Sequence, residues 1–310
     1  MKICRRLSAF IRVSSAFICV FIAFGITQSG AASSINVKDD LGRTVELREP
    51  AQRIATLAPF LTELAFSSGL GRRVVGVSAY SDYPPEAKRL PRVADANGPL
   101  LETLAALHPD LVLAWKDSIR PEEVERLAHL VPAVFVAQAR TLEDVPRLLA
   151  AIGALAGVDT GGETRAYEAR LAELRRTYAG RRAVPVFLEI WDRPLTTISG
   201  RHFMNEALAT CGARNVFAAL PGVAPEVSWE ALYARDPPVI LGVGSAPDEA
   251  AFRANWAQHR TLSAVREGRL VFISPDRLQR PTLRTPDGIA ELCKAIDRVR
   301  AELAAAKDTR

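Results

Sequence analysis

Gly161-Gly162-Glu163-Thr164-Arg165-Ala166-Tyr167-Glu168-Ala169-Arg170-Leu171-Ala172-Glu173-Leu174-Arg175-Arg176-Thr177-Tyr178-Ala179-Gly180 is the stretch around which the rest of the chain is organised. It begins and ends on glycine, holds no proline and consists largely of strong helix formers. Tyr167, Leu171, Leu174 and Tyr178 recur at helical spacing, with Glu and Arg on the other faces. At about 1.5 Å per residue the predicted helix is roughly 25–30 Å long, enough to span a small domain. On either side lies a domain-sized segment that alternates short β runs with helical runs. Periodicity alone allows two readings, a strut between two lobes or one more surface helix of a single α/β domain.

The N-terminus is set apart first. Lys2, Arg5, Arg6 and Arg12 surround the start of an apolar run, Ala16 to Phe24, and small residues follow at Ser29-Gly30-Ala31-Ala32. This pattern predicts a secretory signal over 1–32, cleaved near Ala31 or Ala32. The apolar run is shorter than the ~20 residues of a membrane span. Cys19 follows Ile18, which is unlike a lipoprotein acceptor cysteine. A soluble, exported protein is expected. The net charge of +5 includes the four basic residues of the signal, so the mature chain stands near +1. The basic balance is therefore no sign of a nucleic-acid partner. With 48% hydrophobic and 24% charged residues, the composition is globular. Cys211 and Cys293 remain after the signal leaves, which suggests one disulfide or, alternatively, a buried free pair.

The chain then reads as alternating β and α. Strands are expected at Arg53–Leu57, Val74–Val77, Leu111–Trp115 and Ala133–Val136, with helices from Pro59, Leu100, Glu122 and Leu142. After the long helix come strands at Val186–Ile190, Val239–Val243 and Leu270–Ile273, with helices at Phe203–Cys211, Glu249–Trp256 and Gly288–Leu303. Residues up to Pro50 and the segment Ala218 to Val227 carry no expected element. The alternation predicts mostly parallel sheets covered by helices. A repeat supports the strut: Glu102-Thr-Leu104-Ala-Ala106-Leu-His-Pro109-Asp-Leu-Val-Leu113 aligns without a gap on Glu230-Ala-Leu232-Tyr-Ala234-Arg-Asp-Pro237-Pro-Val-Ile-Leu241. The expected architecture is α/β, two Rossmann-like lobes on one helix, with the lobes over 33–157 and 182–310 and the linker over 158–181.

Enzymatic motifs are sparse. His108, His129, His202 and His259 show no close metal-ligand spacing, and there is no G-x-S-x-G elbow. Gly242-Val243-Gly244-Ser245 only loosely resembles a phosphate loop. Binding features are stronger. The loop carrying Tyr80 and Tyr83 follows a strand, where open α/β sheets hold ligands, and tyrosine suits a flat amphipathic guest. Asp276 and Arg280 stand four apart after the last strand, able to grip amide or phosphate groups.

The segments Thr56 to Phe66, Val75 to Pro85, Pro109 to Trp115 and Cys211 to Phe217, with the Asp276, Arg280 and Cys293 spacing, resemble the vitamin B12 (cobalamin)-binding group. That group lies within the iron-siderophore and cobalamin substrate-binding superfamily of ABC importers. The resemblance runs from about Arg53 to about Glu302. It implies a periplasmic binder that captures cobalamin between two lobes, performs no bond chemistry, needs no cofactor and works as a monomer. Tyr80, Asp276 and Arg280 match cobalamin-contacting positions, and Pro59 and Tyr83 complete the candidate ligand set. Glu102 and Glu230 match the residues that dock on the membrane permease, whose ATPase partner supplies energy. Cys211 and Cys293 match the disulfide. Ala96 and Ala224 stand where the resemblance implies tryptophans, and Thr197 near an implied phenylalanine; Trp191, Trp229 or Trp256 are the available substitutes. A haem or ferric-siderophore binder, with Tyr80 or Tyr83 as metal ligand or wall and Arg280 meeting carboxylates, is the alternative. A third reading is an exported hydrolase or oxidoreductase using the same cleft.

Overall fold

The computed structural model describes residues 34–244 and 247–308; the expected signal over 1–32, with Cys4 and Cys19, and Ser245 lie outside them. The chain opens with a hairpin absent from the sequence expectation, β1 (Ile35–Lys38) and β2 (Thr44–Leu47). Its turn is built by Asp39, whose Oδ1 accepts the Leu41 and Arg43 N–H groups at 3.0 and 2.9 Å. Gly42 supplies the left-handed residue, φ +81. Val45 and Leu47 are buried while their strand neighbours are exposed, and this alternation holds the hairpin down.

The first lobe contains β3 (Ile54–Thr56), α1 (Pro59–Ser67), β4 (Val74–Ser78), β5 (Arg92–Asp95), β6 (Gly98–Pro99), α2 (Leu101–Leu107), β7 (Leu111–Trp115), α3 (Pro121–Leu130), β8 (Ala133–Ala137) and α4 (Asp144–Ala156). Among the described residues its sheet has the order β6-β5-β4-β3-β7-β8, parallel except for the edge strand β6. The continuous apolar run Leu-Val-Leu-Ala of β7 is completely buried, as a strand covered on both faces must be.

The long helix α5 runs over Gly161–Tyr178. Tyr167, Leu171 and Leu174 are its buried stripe, and it packs against α4 on one side and two helices of the second lobe on the other. Burial of side chains of this kind stabilises by about 1.5–3 kcal/mol each. The Tyr167 hydroxyl donates to the Leu142 carbonyl at 3.0 Å, tying the strut to the first lobe.

The second lobe contains β9 (Val184–Glu189), β10 (Trp191–Asp192), β11 (Leu195–Thr196), α6 (Met204–Thr210), β12 (Ala213–Asn215), α7 (Trp229–Arg235), β13 (Val239–Gly242), α8 (Glu249–Trp256), α9 (Ser263–Arg266), β14 (Leu270–Phe272), α10 (Pro275–Leu278) and α11 (Thr285–Asp308). Its main sheet is parallel in the order β12-β9-β13-β14. The α5 helix rests on α6 and α11. Cys211 and Cys293 form a disulfide between the end of α6 and the middle of α11, with Cα atoms 4.6 Å apart.

The repeat extends to backbone conformation. α2 and α7 each run seven residues, and each ends on a left-handed non-glycine residue, His108 (φ 45) and Asp236 (φ 34). A proline follows each of them, and then the strand β7 or β13. Leu104 and Leu232 occupy the same place in the two copies and are both fully buried. The architecture is thus α/β, two Rossmann-like lobes joined by one long helix. One apolar cluster runs from Ile54 and Phe135 through Tyr167 and Leu171 to Leu188 and Ile296, so the lobes share a core. Among the described residues no helix is long and apolar enough to cross a membrane.

Candidate functional site

Both sheets reverse strand order beside their first strand, between β3 and β7 and between β9 and β13. Such switch points open a crevice at the carboxyl ends of the strands. Residues at these ends meet in one cavity of about 660 Å³. Pro59 and Phe60 follow β3, Trp115 ends β7 and Asp117 follows it, Ala139 and Arg140 follow β8, and Ile190 follows β9. His202 and Phe203 enter from before α6, and Gln279, Arg280 and Pro281 from after α10. A hollow of about 530 Å³ over α4 and α5 lies away from the strand ends, and the larger, inter-lobe cavity is the candidate ligand site.

The walls are apolar and aromatic. Phe60 and Trp115 meet edge to face at 5.9 Å, and Phe203 stacks on His202 at 4.8 Å. Ala224 lies in the wall itself. Ala96 is exposed outside the cavity, and Thr197 is buried with its hydroxyl donating to the Leu188 carbonyl at 2.6 Å. None of the three substitute tryptophans lines the cavity. Trp191 is exposed and donates to the Arg193 carbonyl, while Trp229 and Trp256 pack with His259 elsewhere in the second lobe. Trp115 and Phe60 supply the aromatic surface instead.

One rim of the cavity is closed by a charged clasp between the lobes. Arg280 Nη1 lies 3.1 Å from Glu63 Oε1 on α1 and 2.7 Å from Asp82 Oδ1, and its Nη2 donates to the Tyr80 carbonyl at 3.1 Å. Asp276 stands 3.1 Å from the same guanidinium. Arg284 grips Glu63 with Nε at 2.9 Å and Nη2 at 2.8 Å, and its guanidinium lies 3.7 Å from the Tyr83 ring centroid. A chain of hydroxyls, Thr56 to Thr62 to Ser81 to Ser78 at 2.7, 2.9 and 3.0 Å, fixes the turn in which Tyr80 is left-handed (φ 62). On the other side, Thr285 Oγ1 donates to the Arg280 carbonyl at 3.0 Å. Gly288 lets α11 press close, since a Cβ there would sit 2.5 Å from the Arg277 carbonyl oxygen.

Electrostatics follow burial and these contacts. Burial raises the Glu63 carboxyl above its ordinary value, against the pull of Arg284 and then Arg280. For Asp82 burial is outweighed by the Arg280 hydrogen bond and charge, and its pKa falls. Arg280 is held more firmly protonated, because Asp82, Asp276 and Glu63 together overcome its desolvation. Burial, reinforced by Arg140, lowers His202 to about 4, so its ring is neutral.

Of the sequence-derived ligand set, Pro59 and Arg280 line the cavity. Tyr80, Tyr83 and Asp276 gather around Arg280 and Arg284 at the rim, and Tyr80 is 78% exposed. Glu102 and Glu230 are exposed in the first turns of α2 and α7, one on each lobe. The sequence reading missed Phe60, Trp115, Asp117, Arg140, His202, Gln279, Glu63 and Arg284 as site residues. Glu63 did carry a signal, a lone acid inside the apolar run Phe60-Leu61-Thr62-Glu63-Leu64-Ala65-Phe66.

Paired α/β lobes on a rigid helix, with a walled cavity at their facing strand ends, define a two-lobed ligand-capturing protein. The periplasmic binding protein family matches residues 54–277, and the chain belongs to that family. The vitamin B12-binding protein of Vibrio cholerae serotype O1 is 33% identical over 246 residues, covering 79% of this chain and 88% of the relative. The crystal structure of the periplasmic vitamin B12 binding protein BtuF of Vibrio cholerae matches with TM-score 0.72 at 33% identity, covering 81% of this chain and 98% of that one. A periplasmic heme binding protein from Pseudomonas aeruginosa matches with TM-score 0.69 at 27% identity, covering 79% and 92%.

Proposed function

We propose that this protein captures a corrinoid, cobalamin or a close relative, in the inter-lobe cavity and delivers it to an ABC importer in the inner membrane. The observation that carries the choice of ligand is the charge state of the cavity. Both guanidinium groups that line it already face carboxylates, Arg280 with Glu63, Asp82 and Asp276, and Arg140 with Asp117. The His202 ring is neutral. A guest with two carboxylates, such as haem, meets no unpaired cation among the described lining residues, whereas the amide-fringed corrin ring needs none. No tyrosine is among the lining residues, and the Tyr83 ring is covered by Arg284, which weighs against the tyrosine-ligated haem alternative. Apolar walls fit the faces of a large flat ring, and the clasp stands at the rim. The chain itself performs no bond chemistry in this reading.

Glu102 and Glu230 are the proposed docking groups. They are exposed and occupy repeated positions on the two lobes, as a partner built from two matching halves requires. The permease receives the loaded protein at these acids, and its ATPase drives release. Periplasmic location follows from the same reading. Calorimetric titration of the purified mature chain with cyanocobalamin, dicyanocobinamide, haemin and a ferric siderophore tests the ligand. The corrinoids are expected to bind most tightly; tighter binding of haemin would overturn the assignment.

A further inference from the structure

Arg140 and His202 play no part in the clasp, and nothing in the repeat or the docking acids accounts for them. They come from different lobes, Arg140 from the loop after β8 and His202 from the turn before α6, yet both line the same cavity. Arg140 is anchored by one arm. Its Nη2 donates to Asp117 Oδ1 at 3.0 Å, and Asp117 Oδ2 accepts from Gln138 Nε2 at 2.8 Å. Its backbone N–H is spent on Asp144 Oδ2 at 2.8 Å. The Nε and Nη1 groups of the fork have no hydrogen-bond partner among the described residues. His202 is anchored in a comparable way. Its Nδ1 accepts the Met204 N–H at 3.3 Å and its ring stacks on Phe203. With the ring neutral and Nδ1 accepting, the proton sits on Nε2, which has no partner among the described residues.

We propose that Arg140 and His202 form a donor subsite that binds an oxygen acceptor of the ligand, an amide carbonyl or a phosphodiester oxygen, and thereby help set ligand specificity. Two oriented donors beside apolar walls favour a guest that presents acceptors there, whereas an apolar edge displaces their water and leaves them unpaired. Asp117 acts as a positioning residue, neutralising the Arg140 charge and fixing its fork, so a formal anion is not required. Because one donor comes from each lobe, a ligand that reaches both also ties the lobes together.

The subsite, whose acceptors are those a corrinoid presents, rests on the corrinoid reading above. Cyanocobalamin, dicyanocobinamide and haemin are titrated calorimetrically into the full mature chain and into Arg140→Gln, His202→Phe and His202→Gln, with thermal melts showing that each variant is folded. Arg140→Gln and His202→Phe are each expected to weaken the bound probe about tenfold, and His202→Gln, which restores an N–H donor, to recover most of that loss. Loss with both corrinoids places the acceptor on the ring amides. Loss with cyanocobalamin alone places it on the phosphodiester, which cobinamide lacks. If the wild type takes haemin and no corrinoid, the proposed function fails and the subsite fails with it, since haemin presents neither acceptor; corrinoid binding that the variants leave intact overturns the subsite alone. Affinities within about twofold of wild type in Arg140→Gln and His202→Phe, equal weakness of His202→Gln and His202→Phe, or no binding of any probe would overturn it.

Discussion

Glu63 is the residue whose removal tests the clasp most directly. It is 2% exposed and accepts three charged N–H groups, one from Arg280 and two from Arg284. The two guanidinium groups lose different amounts when it goes. Arg280 keeps Asp82 at 2.7 Å and Asp276 at 3.1 Å, whereas Arg284 keeps only the Tyr83 ring and no acid among the described residues. The cost of Glu63→Ala therefore falls mainly on Arg284, a half-buried cation left uncompensated, and is expected to be about 3–5 kcal/mol. Side-chain exposures of 18% and 23% for the two arginines leave little solvent screening to reduce it. Glu63→Gln keeps one acceptor oxygen and should cost less, about 2 kcal/mol. Desolvation of Glu63 opposes the attraction, so replacing both members with apolar side chains, Glu63→Met with Arg284→Leu, should restore much of the loss. Urea unfolding followed by circular dichroism, disulfide intact, measures all three variants together with Glu63→Met alone and Arg284→Leu alone. The reasoning fails if Glu63→Ala lies within about 0.5 kcal/mol of wild type, or if Glu63→Met and Arg284→Leu are additive in the double-mutant cycle.

On the proposed docking role, Glu102→Lys combined with Glu230→Lys should abolish uptake in cells while leaving calorimetric ligand affinity unchanged; surviving uptake would refute the role. Docking through these exposed acids should also weaken as salt rises, which pull-down with the partner importer at increasing ionic strength would show. His202 is depressed from 6.5 to about 4 in the folded state, so its contribution is present above pH 6.5 and lost as pH falls through about 4. Wild type should lose about 3 kcal/mol relative to His202→Phe across that window in pH-dependent urea titrations. The comparison must be a difference, because Glu63, raised above 4.5, shifts the balance the opposite way on acidification. The disulfide closes a separation of 82 residues, and replacing both cysteines with alanine should lower unfolding free energy by about 2–4 kcal/mol, read in the same denaturation assay.

Elements with their own local signals were readable before any coordinates. A run of strong helix formers free of proline marked α5, with Gly180 just past its end, and the continuous apolar runs of β7 and β13 marked strands buried on both faces. The repeat went further, anticipating paired helix, turn and strand in each lobe. What the reading missed depends on partners distant in sequence or on very short pairings. The β1–β2 hairpin is cut from a charged stretch and held by Asp39, while β10 and β11 are only two residues each. Glu63 meets Arg280 across 217 positions and Arg284 across 221, so neither spacing nor periodicity points from one to the other. Positions 96 and 197 lie outside the cavity lining, and 224 reaches it only as an alanine. The cavity draws its aromatic surface from Phe60, Trp115 and Phe203, which sequence alone reads as ordinary core.

Rigidity and access make opposing demands on this architecture, and the structure separates them in space. At the back, α5 lies on α4, α6 and α11, the Leu142 N–H donates to Glu206 of the second lobe at 2.9 Å, and the apolar core runs unbroken between lobes. Separating the lobes there exposes apolar surface at a cost that grows with every square ångström. Among the described residues, the front is held by ion pairs, hydrogen bonds and a cation–π contact of Arg280 and Arg284, which water and a polar guest can replace one at a time. Opening is therefore cheapest at the clasp, and the strut supplies the pivot. A guest that satisfies donors on both lobes holds the front closed by its own contacts, so the strength of the clasp and the affinity for ligand should move together when Glu63 is altered.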